Sequence, residues 1–230
     1  MLSLKRAQAQ FIAAVLDLSP RIATFDCDGT LWSGDAGEGF FSWELDQHLV
    51  SDEIARWARP RYADYRAGRV NEEVMCGEMV TMHRGLCEEV LQQATDTYFA
   101  QAVEPNIFPE MRALIDGLHQ SGCQVWAVSS SNVWIIRSAM RLFRIPPNRI
   151  LAAEAAVEDG IISGRLLRVP SGPGKVQAIR SAIRGTPDCA FGNAIWDREM
   201  LALAKHAFAV NPNPNLKEIA LAHRWTVYQP

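Results

Sequence analysis

Residues 21–32 read RIATFDCDGTLW, and the fold is decided there. A short apolar, β-prone run, Ile22 to Phe25, meets two aspartates one residue apart, Asp26 and Asp28, and then Gly29 and Thr30. Carboxylates are rarely buried without partners. Two of them a few Å apart repel, and the repulsion raises at least one pKa. A fold tolerates the pair at the end of a buried strand most readily where a cation, a substrate or a reaction compensates it.

Working outward, the chain has 230 residues, room for one large domain or a domain with an insertion. A formal net charge of −3 gives no polyanion footprint, so nucleic acid is not an expected partner. Five scattered cysteines without a CxxC pair point to a reducing compartment and away from a disulfide framework or zinc site. At the N-terminus, Leu4, Phe11 and Val15 follow helical spacing, while Gln8, Gln10 and Asp17 interrupt any signal-like apolar run. No run is long enough to span a membrane, and the expectation is a cytoplasmic enzyme.

Residues 4–17 are predicted to form an amphipathic helix and residues 21–26 a strand. From 36 to 103 the pattern is helical almost throughout, punctuated by Pro60, Gly68 and Gly85. After the linker EPNIFP, strands and helices alternate: CQVWAV is followed by a helix, CAFG by WDREMLALAK, HAFAV by NLKEIALAHR, and WTVY closes the chain. Asp159-Gly160 between two extended runs marks a hairpin. Alternation of this kind implies an α/β fold, a doubly wound, mostly parallel sheet of Rossmann type. The helical block falls between the first strand and the rest. The expected division is a core of residues 1–35 and 104–230 with an all-helical insertion at 36–103.

In such sheets ligands bind beyond the carboxyl ends of the strands. Asp26, Cys27 and Asp28 follow the first strand. Ser129, Ser130 and Ser131 follow QVWAV, and Gly192-Asn193 follows CAF with Asp197 four residues on. Lys175 opens a helix after a Ser-Gly-Pro-Gly turn. Four ordered motifs, DCDGT, VSSSN, GPGK and GNAIWD, resemble the haloacid dehalogenase-like superfamily, in its phosphoserine phosphatase-like branch, over nearly the whole chain. The helical block resembles that family's cap domain.

The resemblance implies a magnesium-dependent hydrolase of a small phosphomonoester. Asp26 would be the nucleophile at phosphorus, and Asp28 would protonate the leaving oxygen and later take a proton from water. Ser129 would donate to a phosphoryl oxygen, with Ser130 as a further substrate-side hydroxyl, and Lys175 would neutralise charge on the nucleophile and phosphoryl group. Mg2+ would be held by Asp26, the Asp28 carbonyl and the last motif. There the family's usual aspartate after glycine is Asn193, an uncharged ligand, so Asn193 and Asp197 both remain candidates for the metal. The departure leaves a second reading open: a weakly active or non-catalytic member of the fold that binds a phosphorylated ligand.

Each of these residues has a plainer reading. The aspartates could form an Asx turn, Lys175 could be solvated, and Ser129 could merely neighbour a helix cap supplied by Ser131. Cys27 is not an expected nucleophile, because flanking carboxylates raise a thiol's pKa. SGPGK lacks the spacing and the following Ser/Thr of a Walker motif. Asp35 and Glu38 stand where the family branch carries an acid that recognises a substrate amino group; both also suit a helix N-terminus. Of the arginines in the block (Arg56, Arg59, Arg61, Arg66, Arg69, Arg84), one could pair with a substrate carboxylate, and the sequence does not say which.

Overall fold

The apolar run Ile22–Phe25 is strand β1. It pairs in parallel with β2 (Gln124–Asn132) on one side and β5 (Cys189–Gly192) on the other. Beyond β2 lies β3 (Ile150–Glu158), parallel, and then β4 (Ile161–Arg168), which turns back antiparallel. Beyond β5 lie β6 (His206–Val210) and β7 (Thr226–Tyr228), both parallel. The order is β4-β3-β2-β1-β5-β6-β7 in this computed structural model, which describes residues 6–230. The chain builds away from β1 in one direction and then returns to its other side. Strand order therefore reverses between β1 and β5, where doubly wound sheets open a crevice for ligands.

That crevice is built on a rigid floor. Phe25, Phe191 and Phe208 lie in matching register on β1, β5 and β6. Their rings stack with centroids 4.1 and 4.7 Å apart, geometry that adds to the burial of the aromatic surface. The Asp26 amide donates to the Phe191 carbonyl at 2.9 Å, so pairing continues to the first residue beyond β1.

Helix α1 (Arg6–Leu16) packs against α6 (Pro109–Gln120); positions 4 and 5 of the predicted first helix lie outside the described residues. Between β1 and α6 the chain forms α2 (Ala36–Asp46), α3 (Asp52–Arg66), α4 (Glu72–Thr81) and α5 (Glu88–Tyr98), then a π-turn at Phe99–Val103. The side chains of Asp35, Ser51 and Asn71 accept from the amides of Glu38, Ile54 and Val74, capping the first three of these helices. Phe41, Leu45, Val50, Ala58 and Met82 form a small core of their own, whereas Phe40, Val80, Leu91 and Phe99 join the main one. Pro60 lies inside α3 and does not punctuate it. It sits on the exposed side, where the carbonyl that loses its amide donor can turn to water.

Two further expectations are corrected. The serines after QVWAV do not follow the strand: β2 continues through them to Asn132, with a register shift against β3 between Val128 and Asn132. Consequently Asn132, not Ser131, caps α7 (Val133–Leu142), its Oδ1 accepting from the Ile135 amide at 2.9 Å. The hairpin stands as expected, with φ of 50° at Asp159 and 77° at Gly160, the paired positive values of a type I′ turn. Helix α8 (Pro173–Ala182) carries Lys175 in its first turn. The run WDREMLALAK divides into a 3-10 turn, Ile195–Asp197, and the short α9 (Arg198–Leu203), before α10 (Pro214–Ala222).

Candidate active site

The strand ends bring Asp26, Lys175 and Asp197 into one buried cluster. Lys175 Nζ donates to Asp26 Oδ1 at 2.7 Å, to Asp197 Oδ1 at 2.6 Å and to the Val128 carbonyl at 3.0 Å. All three ammonium protons are thus used, and the lysine is only 1% exposed. Burial works to lower the Lys175 pKa, but the two carboxylates outweigh it and hold it above its ordinary value. Asp26 is raised, first by burial and then by the charge of Asp197; Lys175 and the Thr30 hydroxyl, which donates to Oδ2 at 2.8 Å, pull the other way. One cation shared by two acids leaves the cluster one net negative charge.

Asp197 is tied at both oxygens. While Oδ1 takes the lysine, Oδ2 accepts from the amides of Asn193 and Ala194, each at 2.9 Å. This approach requires Gly192: a Cβ there would fall 2.5 Å from that of Asp197. Asn193 faces the first motif. A Cβ on Gly29, whose φ is +71°, would lie 1.8 Å from Asn193 Nδ2 and 3.4 Å from its Oδ1. Glycine at 29 therefore serves both the turn and the contact. Asn211, after β6, donates to the Gly29 carbonyl at 3.1 Å and steadies the same loop.

Asp28 has separate company. Its Oδ1 accepts from the Trp32 indole at 2.9 Å and from the Ala36 amide at 2.6 Å, and Ser131 Oγ donates to Oδ2 at 2.6 Å. Burial, then the charge of Asp35, pushes it up to about 8 against those hydrogen bonds. A carboxyl in this range holds a proton at neutral pH, as a general acid must. Cys27 between the two aspartates is fully buried, and burial followed by Asp26 and Asp28 drives its thiol well up, leaving it inert.

A cavity of about 500 Å³ opens over these groups, bounded below by Asp26, Asp28, Lys175 and Asn193 and above by residues of α2, α3 and α4. Ser130 and Ser131 line it; Ser129 is buried, its Oγ accepting from the Ser131 amide at 3.1 Å. Asp35 lines it while capping α2, and Glu38 lines it while pairing with Arg66 at 3.4 Å. Arg66 is thus the arginine of the helical block that reaches the cavity.

A family model described as haloacid dehalogenase-like hydrolase matches residues 23–202. The chain belongs to this superfamily. It is 26% identical over 216 residues to histidinol-phosphatase of Neisseria meningitidis serogroup C (strain 8013), covering 90% of this chain and 97% of that one. It is 29% identical over 234 residues to phosphoserine phosphatase SerB1 of Mycobacterium tuberculosis (strain ATCC 25618 / H37Rv), covering 95% and 75%. A solved structure of unknown function from Bordetella pertussis Tohama I shares the fold, with TM-score 0.80 at 20% identity over 90% of this chain and 97% of that one.

For this hydrolase the motif reading missed several contacts. Thr30 and Trp32 each stand four residues after the aspartate they bind, a spacing visible in DCDGTLW. Asn211 and Glu72, which reaches the cavity from α4, gave no local signal.

Two outcomes follow from this geometry. Replacing Lys175 with methionine leaves Asp26 and Asp197 buried without their cation. A buried pair broken in this way costs about 3–5 kcal/mol. Asp26, already raised by burial and by the charge of Asp197, then favours its protonated form, so the native state holds a proton the unfolded chain releases, and stability falls as pH rises. Urea unfolding should show the larger loss at pH 8 and a smaller one at pH 5. Asp28 obeys the same sign in the wild type: between the ordinary carboxylate range and about 8, raising the pH costs stability. Asp28→Asn should therefore raise the metal-free melting temperature at pH 8 by about 2–4 °C, the shift about 1 kcal/mol gives a chain of this size, with the gain vanishing near pH 4.

Proposed function

We propose that this chain is a magnesium-dependent phosphomonoester hydrolase working through an aspartyl-phosphate on Asp26. The observation that carries the reading is the division of labour between the two aspartates. Asp26 is buried on a lysine that it shares with Asp197, and Asp28, two residues on, is held apart from that lysine by Trp32, Ala36 and Ser131. The names of the two curated relatives, histidinol-phosphatase and phosphoserine phosphatase, support the same chemistry.

In this reading an Asp26 oxygen attacks phosphorus and the bond to the ester oxygen breaks. The departing oxygen takes the Asp28 proton and leaves as the alcohol. Water then attacks the phosphorus of the aspartyl-phosphate, Asp28 accepts its proton, and the bond to Asp26 breaks to release phosphate. Lys175 keeps the Asp26 carboxylate oriented and offsets charge on the phosphoryl group; Asp197 positions Lys175. Ser130 and Ser131 line the substrate side, Ser131 with a hydroxyl that donates to Asp28. The helices of residues 36–103 act as the cap over a core formed by 1–35 and 104–230, excluding water from the cavity.

The donors at the strand ends suit a hard cation. They are all oxygens: the Asp26 carboxylate, the Asp28 carbonyl and the Asn193 amide pressed against the first-motif loop. Among the described residues no three His, Cys, Asp or Glu side chains converge as a metal site. Such a poor charge count fits magnesium, which takes one or two carboxylates together with substrate phosphate. Bound there, the cation would neutralise phosphoryl charge and hold the phosphate in line with the nucleophile. Asn193 and Asp197 both line the cavity beside Asp26, and both are candidates for this shell.

Phosphate release from phenyl phosphate, with and without magnesium, tests the reading. Turnover should require the cation, and Asp26→Asn should abolish it, since an amide cannot serve as the nucleophile. Wild-type turnover by a pure Asp26→Asn protein would refute the mechanism. Asn193→Asp adds a charge to the shell and should lower the half-saturating magnesium concentration by about tenfold, equivalent to about 1.4 kcal/mol. Titrating magnesium against rate reads this, and an unmoved midpoint would place Asn193 outside the shell.

A further inference from the structure

The last motif, GNAIWD, carries a tryptophan that the phosphoryl chemistry does not use. Trp196 is 44% exposed and lines the cavity beside Lys175 and Asp197. Single exposed apolar side chains are common on protein surfaces, so the surroundings of this one decide its meaning. Trp32 and Trp134 donate to carboxylates, and Trp43 and Trp225 pack on other rings. Trp126 is buried in the core, and Trp57, about as exposed as Trp196, does not line the cavity. The Trp196 indole lines it with neither a ring contact nor a hydrogen bond among the described residues.

The backbone beneath that free indole is fixed. The Trp196 carbonyl accepts from the Gly172 amide at 3.1 Å. The next residue, Asp197, is held by Lys175 and by the amides of Asn193 and Ala194. A Cβ on Gly172 would lie 3.8 Å from Trp196 Cε3, so the six-membered ring of the indole borders the turn that leads into α8 and Lys175. A flat apolar surface therefore stands beside the phosphoryl end of the cavity before any ligand arrives, and a preformed surface spares binding the cost of ordering it. The helical block adds two rings: Tyr62 and Tyr65, 5.5 Å apart, line the same cavity from α3. Tyr62 is itself seated on Phe41, with ring centroids 4.9 Å apart. Room is ample as well. The cavity's volume of about 500 Å³ falls within the roughly 300–1,000 Å³ of small-molecule sites, far more than a phosphoryl group fills. A flat ring covers an indole face with few rotatable bonds to freeze, whereas a flexible chain of equal area loses rotamer freedom along its length.

We infer that the cavity selects phosphomonoesters whose alcohol portion carries a flat, unsaturated ring, and that Trp196 is the platform on which the ring lies. The inference rests on the phosphatase reading for where the phosphate sits. The phosphoryl group occupies the Asp26 and Lys175 end, and the ring extends from the ester oxygen over the indole into the space that the α3 tyrosines line.

Non-hydrolysable phosphonates test this apart from turnover. Ethylphosphonate carries no ring, cyclohexylmethylphosphonate a puckered one and benzylphosphonate a flat one. Titration calorimetry with the full chain in magnesium buffer should show benzylphosphonate binding at least tenfold more tightly than ethylphosphonate. It should also bind about threefold more tightly than the cyclohexylmethyl probe, because ring stacking adds to the burial of apolar area. Trp196→Ala should weaken benzylphosphonate more than ethylphosphonate and erase its advantage over the cyclohexylmethyl probe. Trp196→Phe, a smaller flat ring, should keep most of that advantage. Equal affinity for the benzyl and ethyl probes in the wild type, or a cyclohexylmethyl probe that binds as tightly as the benzyl one, would overturn the inference, and neither result depends on any variant folding. An equal loss for all three probes in Trp196→Ala would make Trp196 a structural residue only and overturn its role as the platform. If phenyl phosphate is not hydrolysed while the benzyl preference stands, the phosphatase reading fails and the ring subsite survives.

Discussion

Everything at the centre of this protein is arranged around one buried ammonium. Lys175 reaches from the first turn of α8 to the residue after β1, to the 3-10 turn after β5 and to a carbonyl of β2. It joins the three segments that form the crevice at the sheet's switch point. Its desolvation is expensive, and the two carboxylates that offset it would be equally expensive alone. The cluster is therefore stable only as a whole, and only if the strand ends keep their spacing. The stacked phenylalanines beneath it fix that spacing, because β1, β5 and β6 cannot slide past one another without separating the rings.

The two aspartates of the first motif show how one residue of separation yields different surroundings. Asp26 is surrounded by the core and bonded to a lysine that opposes the rise that burial and Asp197 impose on it. Asp28 is surrounded by a tryptophan, a serine and the start of α2, with no cation beside it. The two environments differ in charge and hydrogen bonding without any change of residue type. The haloacid dehalogenase-like framework supplies the first environment, and the first helix of the insertion completes the second.

Much of this was legible in the sequence because the signals were local. An apolar run meeting DCDGT names a strand and its end, Asp159-Gly160 names a hairpin, and four motifs in order name the superfamily. The failures share a cause as well. The end of β2 could not be read from polarity, since extended backbone continues through Ser129–Asn132, where partner strands and not side chains decide the conformation. Asp197 reads in the sequence as a metal candidate four residues past a strand; only the fold shows that a lysine and two amides bond to its oxygens. Glu72 sits in a run with no motif, and its burial depends on a contact with Ser171, 99 positions away. Long-range burial of a charged residue leaves no trace in spacing or composition.

The hydrogen bond from the Ala36 amide to Asp28 joins the helical insertion to the acid by a single donor at the very start of α2. That donor favours the charged form of Asp28, as Ser131 does from the other side. Linkage makes the relation reciprocal: a group that binds one protonation state better is itself displaced when the proton comes or goes. Movement of α2 and the charge on Asp28 are therefore two coordinates of one equilibrium. A shift of that first helix would take up or release a proton at Asp28 as the hydrogen bond breaks or forms.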